Sequence, residues 1–322
     1  MNNLKPIEYI DLGGDSYSGL ATSKNAETVA LYSMAKRFLT KPILYLCDKI
    51  SKSWADRRTI PYREEIDAID ATIAYPGAYF ANLNFEWGCT SAALDTPQQS
   101  PTLARCLDWP FPDMGWMAKV VRKDGKAGDY YNITWPGFVG VIQAMAPGRF
   151  AISINNAPKQ SFGTGPIIGW PLAKYRVWKA KGTPPTLLLR QVFENCHSYD
   201  EAVQVLSQTP ITTPVIFFIV GTSHDQVTVI EKTQTRTVIH NKRAATNHWQ
   251  SDLKGSFSFY KSKPRLASIT KDLNSGNNLE WLKKPVLNKF TRIVAEMNPA
   301  LGSLVIQGYE NQKPVTHRFT LK

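Results

Sequence analysis

Cysteine is scarce in this chain, four in 322 residues, and no two of them form a C-x-x-C pair. The usual zinc and disulfide spacings are therefore excluded, and free thiols suit a reducing compartment. Histidine is equally sparse: none of the five stands in a recognisable Cys/His pattern, and His197, His224 and His240 read as surface or strand-end residues. No metal and no cofactor is called for. Apolar runs long enough to span a bilayer are missing, and Met1–Glu8 lacks the apolar core of a secretory signal. The expectation is an intracellular, cytoplasmic protein. Dense Lys/Arg runs are absent too, although the net charge is +12. Residues 1–88 hold 10 Lys/Arg against 11 Asp/Glu, and residues 89–322 hold 28 against 15. With the positive charge scattered and no nucleic-acid motif present, a solvated basic surface is expected and no nucleic-acid partner.

What is present is an ordinary globular composition, 43% hydrophobic and 20% charged, on a chain long enough for one large domain or two modest ones. Residues 1–88 read as mainly helical. Val29, Ala30, Leu31, Met34, Ala35 and Phe38 are helically spaced over Glu27–Leu39. Pro42 restarts the helix through Ile43, Leu44, Leu46, Cys47 and Ile50, and Arg63–Tyr75 is a third helix. Lys36, Arg37, Lys41, Lys49 and Lys52 flank the apolar positions of 27–52. Two readings stay open for that stretch: helices docked on the rest of the protein, or a surface lying against a membrane. From Cys89 onward short strands take over, at 115–122, 137–145, 150–155, 215–220, 226–231 and 235–241. Two helical pieces interrupt them over 187–208, the second opened by the capping box Ser198-Tyr199-Asp200-Glu201. Helices, strands, helices, strands is the order of a layered α+β protein, not of a parallel βαβ sheet.

The chemistry gathers at Trp87-Gly88-Cys89-Thr90-Ser91 and Arg105-Cys106-Leu107-Asp108-Trp109. Cutting the Gly88–Cys89 bond would leave an α-amine beside the thiol, so one residue would hold nucleophile and base. An amine with a pKa of about 8 and a thiol of about 8.5 need little tuning for that work. Asp108 is expected to hold the amine and Arg105 to steer the thiol towards thiolate. A buried inert cysteine beside an Arg–Asp ion pair at a strand end is the plain alternative. Trp109, Phe111, Trp116, Trp135 and Phe138 cluster after the pair and suit either a core or a pocket for a fatty or aromatic acyl group.

Cys89-Thr90-Ser91 followed by Arg105-Cys106-Leu107-Asp108 resembles the signatures of the acid ceramidase and N-acylethanolamine acid amidase family. So do Tyr9-Ile10-Asp11-Leu12, Tyr62-Arg63-Glu64-Glu65-Ile66, Ala245-Thr246-Asn247-His248 and Pro285-Val286-Leu287-Asn288-Lys289-Phe290-Thr291. The resemblance covers nearly the whole chain. It implies an αββα sandwich of the N-terminal nucleophile hydrolase type, with a helical N-terminal segment at 1–88 and a catalytic domain at 89–322. Cleavage before Cys89 would make these the α and β chains. The resemblance implies Cys89 as nucleophile, Arg105 and Asp108 as its partners, Asn247 as oxyanion donor and Arg265 as the downstream arginine. Trp109 and Asn155 fall where substrate contacts are expected. The implied activity is hydrolysis of N-acyl amides through a thioester on Cys89. An acyltransferase or a penicillin- or bile-salt-type acylase on the same site stays open, as does a non-catalytic lipid- or nucleic-acid-binding protein of the same fold. The chain departs from the family pattern at Ala104, Cys106 and His248.

Overall fold

The computed structural model of the chain describes residues 4–37, 39–84, 88–95, 100–158, 179–255, 258–274 and 278–322; Phe38 and Trp87, named above, lie outside them. The N-terminal segment opens on a strand, β1 (Glu8–Gly13), followed by α1 (Tyr17–Ser23), α2 (Asn25–Ser33), α3 (Lys41–Asp56), α4 (Arg63–Thr72) and α5 (Ala78–Leu83). The helix expected over Glu27–Leu39 is α2 plus a 3-10 turn at Met34–Arg37. Pro42 sits in the first turn of α3, where its missing N–H costs nothing. Tyr17, Trp54, Ile66, Ile69 and Tyr79 from these helices form one core with Val121, Val139 and Leu187 from later in the chain. The segment is thus docked through an apolar face.

Two sheets follow. The eight-stranded one runs β1, β4 (Lys119–Lys123), β5 (Tyr130–Thr134), β6 (Gln143–Ala146), β7 (Phe150–Asn156), β8 (Val215–Val220), β9 (Val227–Lys232) and β10 (Thr237–His240). Among the described strands of this sheet only β1 pairs in parallel, with Glu8 opposite Lys119. The second sheet runs β11 (Ala244–Ala245), β2 (Gly88–Leu94), β3 (Thr102–Asp108), β12 (Thr291–Asn298), β13 (Ser303–Glu310) and β14 (Lys313–Pro314), with β15 (Phe319–Leu321) on β13. The sheets face each other through β2 and β3 on one side and β6 and β7 on the other. Ser91 to Ser153 and Arg105 to Gln143 are among the side-chain bonds that cross the gap. The N-terminal helices, α7 (Pro185–Asn195) and α8 (Tyr199–Gln208) cover the larger sheet, and α9 (Ser262–Lys271) covers β2 and β11. That is an αββα sandwich.

Several elements differ from the sequence expectation. The strand expected at 115–122 begins as a helical turn, α6 (Met114–Met117). There Gly115 passes so close to β13 that a Cβ would lie 2.3 Å from the Tyr309 carbonyl oxygen. The strand expected over 137–145 is confined to β6. Strands β5, β11, β12, β13, β14 and β15 are additional; β12 is buried at every position and therefore shows no alternation to read. In the capping box Ser198 accepts from Glu201 N as expected, but the Glu201 carboxylate accepts from His197 N, one residue before the cap.

Candidate active site

Antiparallel pairing of β2 with β3 sets the site. The register places Gly88 opposite Asp108, Cys89 opposite Leu107, Thr90 opposite Cys106 and Ser91 opposite Arg105. Side chains alternate along a strand, and directly opposed residues share a face. Cys89, Ser91 and Arg105 therefore point between the sheets, while Thr90, Cys106 and Asp108 point towards α9. An i, i+3 spacing on a strand puts Arg105 and Asp108 on opposite faces. The ion pair between them that the sequence left open does not form.

On the inner face Arg105 is fully buried, and every part of its guanidinium finds an acceptor. Nε donates to Gln143 Oε1 at 3.0 Å, Nη1 to Ser91 Oγ at 3.0 Å and to Asn155 Oδ1, and Nη2 to Ile154 O and Cys89 Sγ, both at 2.7 Å. Asn155, expected as a substrate contact, is instead consumed by the scaffold. Its oxygen also accepts from Ser91 Oγ at 2.9 Å, and its amide nitrogen donates to Ala245 O and Thr246 O. It ties the two sheets together behind the arginine.

The outer side of the site is built on Arg265 of α9, also fully buried. Its Nη1 donates to Cys89 O and to Thr90 Oγ1 (2.9 Å) and lies 3.4 Å from Asp108 Oδ2; its Nη2 donates to Asn247 Oδ1 at 2.7 Å. Asp108 Oδ1 accepts from Thr291 Oγ1 at 2.9 Å and from the Cys106 thiol at 3.4 Å. Asp108 is thus held by Arg265 and Thr291, and the group facing the Cys89 nitrogen is Asn247, whose Oδ1 accepts from Cys89 N at 2.7 Å. Two donors, Cys89 N–H and Arg265, meet that oxygen, which fixes the amide's orientation. Its Nδ2 turns away to Asn156 O at 3.0 Å. In the uncleaved chain Asn247 is therefore an acceptor that clamps the Cys89 amide, not a donor aimed at an oxyanion. Asn247 is itself positioned by Ser262 Oγ, which accepts from its backbone N–H at 2.8 Å and lies 2.8 Å from His248 Nδ1.

The electrostatics also differ from expectation. Burial pushes the Cys89 thiol up to about 11, with the nearby Asp108 charge adding to the rise; Arg105 and Arg265 pull the other way without overcoming it. In this state the thiol is held neutral. Cys106 is likewise raised well above its ordinary value, by burial first and Asp108 second. Among the described residues no group of three or more His, Cys, Asp or Glu side chains is placed to hold a metal ion.

A small apolar cleft of about 70 Å³ opens between the N-terminal helices and the sandwich, with Trp109, the residue after Asp108, in its lining. Trp109, Phe111, Trp135 and Phe138 form one wall, and Leu31, Met34, Leu44 and Phe80 contribute the other. Trp109 stacks edge-on against both Phe111 and Trp135. Trp116 does not line the cleft; it lies under Lys5. Sequence reasoning missed Gln143, Ser262 and the backbone carbonyl of Ile154, which carry no local motif. Ser91 and Thr291 stood inside quoted motifs without being given a role.

The family described as "Acyl-coenzyme A:6-aminopenicillanic acid acyl-transferase" matches residues 164–293. The N-acylethanolamine-hydrolyzing acid amidase of Mus musculus is 25% identical over 215 residues, 63% of this chain and 50% of that protein. Acid ceramidase of Homo sapiens is 28% identical over 118 residues, 36% of this chain and 28% of that protein. The match thus spans half or less of these relatives' lengths. Among solved structures, the Caenorhabditis elegans N-acylethanolamine-hydrolyzing acid amidase ortholog superposes with a TM-score of 0.52 at 21% identity, covering 66% of this chain and 93% of that one. The fold is that of the N-terminal nucleophile hydrolases. By sequence the chain is similar to acid ceramidases and N-acylethanolamine-hydrolyzing acid amidases over the partial lengths given above.

Proposed function

We propose that the chain is a self-processing cysteine amidohydrolase that cuts its own Gly88–Cys89 bond and then hydrolyses N-acyl amides through a thioester on Cys89. The observation that carries this reading is the three-point hold on one residue. Asn247 takes the Cys89 N–H, Arg265 its carbonyl oxygen and Arg105 its sulfur. An inert core cysteine needs none of these, and burying two guanidiniums around it is costly unless they serve something. In the first step Sγ bonds to the Gly88 carbonyl carbon, the bond from that carbon to Cys89 N breaks, and the thiol proton passes to the nitrogen. Water then opens the thioester, leaving a Gly88 carboxylate and restoring the thiol. The freed α-amine, ordinarily titrating at about 8, becomes the base for later turnovers. It takes the thiol proton as sulfur attacks the substrate carbonyl and gives it to the departing amine.

The substrate class follows from the cleft and the relatives. An apolar space lined by Trp109, Phe111, Trp135 and Phe138 suits a fatty or aromatic acyl group, and the relatives' names point to lipid amides. Each buried CH₂ adds about 0.8 kcal/mol, so the specificity constant should rise with chain length until the cleft is filled. The matched acyl-transferase family favours one further outcome, capture of the thioester by an amine in place of water. We place the protein in the cytoplasm with α3 against a membrane surface: Ile43, Tyr45, Leu46 and Ile50 of that helix are exposed, and Lys41, Lys49 and Lys52 flank them.

Denaturing mass spectrometry tests the core of the proposal. Wild-type protein should give fragments of residues 1–88 and 89–322 that co-purify, and Cys89→Ala should stay whole. A single intact wild-type chain at every pH tried would sink self-processing. A flat response across fluorogenic N-acyl amides of increasing chain length would sink the lipid-amide reading.

A further inference from the structure

Gly88 lies on the acyl side of the bond to be cut, and its lack of a side chain has a specific cause. Its backbone is extended, as the first residue of β2, and it is not among the residues with positive φ. No conformational demand therefore requires glycine there. The demand is steric. A Cβ built on Gly88 would lie 2.0 Å from Cδ1, 2.3 Å from Cε1 and 2.9 Å from Cγ of Phe259, far inside ordinary carbon contact. The ring is braced where it is. It meets Phe290 edge-on at 5.7 Å between centroids, Phe290 meets Tyr260 in the same way at 5.4 Å, and the Phe290 carbonyl accepts from Trp109 N. On the other side the Phe259 carbonyl accepts from Arg265, the arginine that holds Cys89 O.

We infer that Phe259 is a specificity residue, its ring limiting any acyl group carried on Cys89 to one whose α-carbon is an unbranched CH₂. The inference rests on the reading of Cys89 as nucleophile. In self-cleavage the group placed on Sγ is the Gly88 acyl, whose α-carbon is Gly88 Cα. In turnover the substrate acyl is joined to the same sulfur, so its α-carbon occupies the same place beside the ring. The main acyl chain takes the direction of the Gly88 nitrogen. A second substituent with the hand of an L-residue takes the position where the built Cβ meets Phe259. Straight-chain acyl groups pass, and α-methyl acyl groups of that hand do not.

The test uses the chain as wild type, Gly88→Ala, Phe259→Ala, Phe259→Leu and the two double variants. Gly88→Ala is expected to slow self-cleavage by roughly ten-fold or more, the effect of an overpacked contact on a reacting geometry. Either change at Phe259 should restore much of that loss in the double variant; leucine keeps an apolar filler should the alanine variant not fold. In the mature proteins the ratio of kcat/KM for an N-lauroyl amide over its 2-methyl counterpart of matching hand should fall by about ten-fold when Phe259 is shortened. A loss of packing alone would not move this ratio. Gly88→Ala cutting at the wild-type rate, a double variant no faster than Gly88→Ala, or an unchanged ratio would each overturn the assignment of Phe259 while leaving Cys89 as nucleophile. A wild-type chain that neither cuts itself nor hydrolyses any amide would overturn both.

Discussion

The two faces of the β2–β3 hairpin each bury an arginine, and they use it differently. Between the sheets Arg105 is met by neutral acceptors and the Cys89 sulfur, with no carboxylate paired to it among the described residues. Under α9, Arg265 has the Asp108 carboxylate 3.4 Å away and spends its remaining donors on Cys89 O, Thr90 and Asn247. The inner charge is thus left for a thiolate to compensate, whereas the outer charge is largely compensated already and holds the backbone of Cys89. A low-dielectric interior enlarges that contrast, because an unpaired charge there acts strongly on its nearest neighbour.

The largest effect should come from Cys89 itself. Cys89→Ala abolishes cleavage and amide hydrolysis, and Cys89→Ser loses nearly all hydrolysis; a Cys89→Ala protein that still matured on a denaturing gel would end the comparison. Next come the arginines. Arg265→Met should cost about 3–5 kcal/mol in denaturant melts by stranding buried Asp108, and Asp108→Asn added to it should recover part of that loss. Arg105→Met strands no carboxylate, so the same second change should bring it no recovery. Equal rescue of both would show that the two faces do not differ in charge balance.

Asn247 sharpens the outer face. As an acceptor for Cys89 N–H, it predicts that Asn247→Asp self-cleaves faster than Asn247→Leu, which should be slowed by roughly 100-fold if the clamp is worth two buried hydrogen bonds. The opposite order would return Asn247 to the oxyanion-donor role in the cleavage step.

The pH effects are smaller. Because burial raises the precursor thiol to about 11, self-cleavage followed by mass spectrometry should keep accelerating as pH rises above 9.0, the thiol's ordinary value. The same shift stabilises the uncut fold fully below 9.0, and that contribution is lost as pH rises through 11. A cleavage rate that levels off near 9.0 would mean that the inner arginine outweighs burial. The smallest effect belongs to His248, lowered from 6.5 by burial first and by Lys263 next. Its contribution to stability is intact above 6.5 and lost as pH falls below that value towards the lowered one. His248→Gln should flatten the melting temperature over that acidic range; an unchanged slope would remove His248 from the network around Ser262.

Much of this was legible in the chain itself. The helix restart at Pro42 and the capping serine at 198 follow from local chemistry, which needs only neighbours in sequence. Even the separation of Arg105 from Asp108 is written in strand alternation. Sequence by itself also singled out Cys89, Arg105, Asp108, Asn247 and Arg265 as the residues to look for, because their types and order resemble the motifs of the acid ceramidase and N-acylethanolamine acid amidase family. It did not determine which atom meets which. Asn247 lies 158 residues from Cys89 and Arg265 lies 176, so their pairing depends on how α9 and the turn before it dock on β2. That docking turned Asn247 by its oxygen, gave Asp108 to Arg265, spent Asn155 on the scaffold and laid Phe259 over Gly88. Tertiary structure alone decided these, because hydrogen-bond partnership in a packed interior is set by distance and orientation between distant segments, which no local pattern encodes.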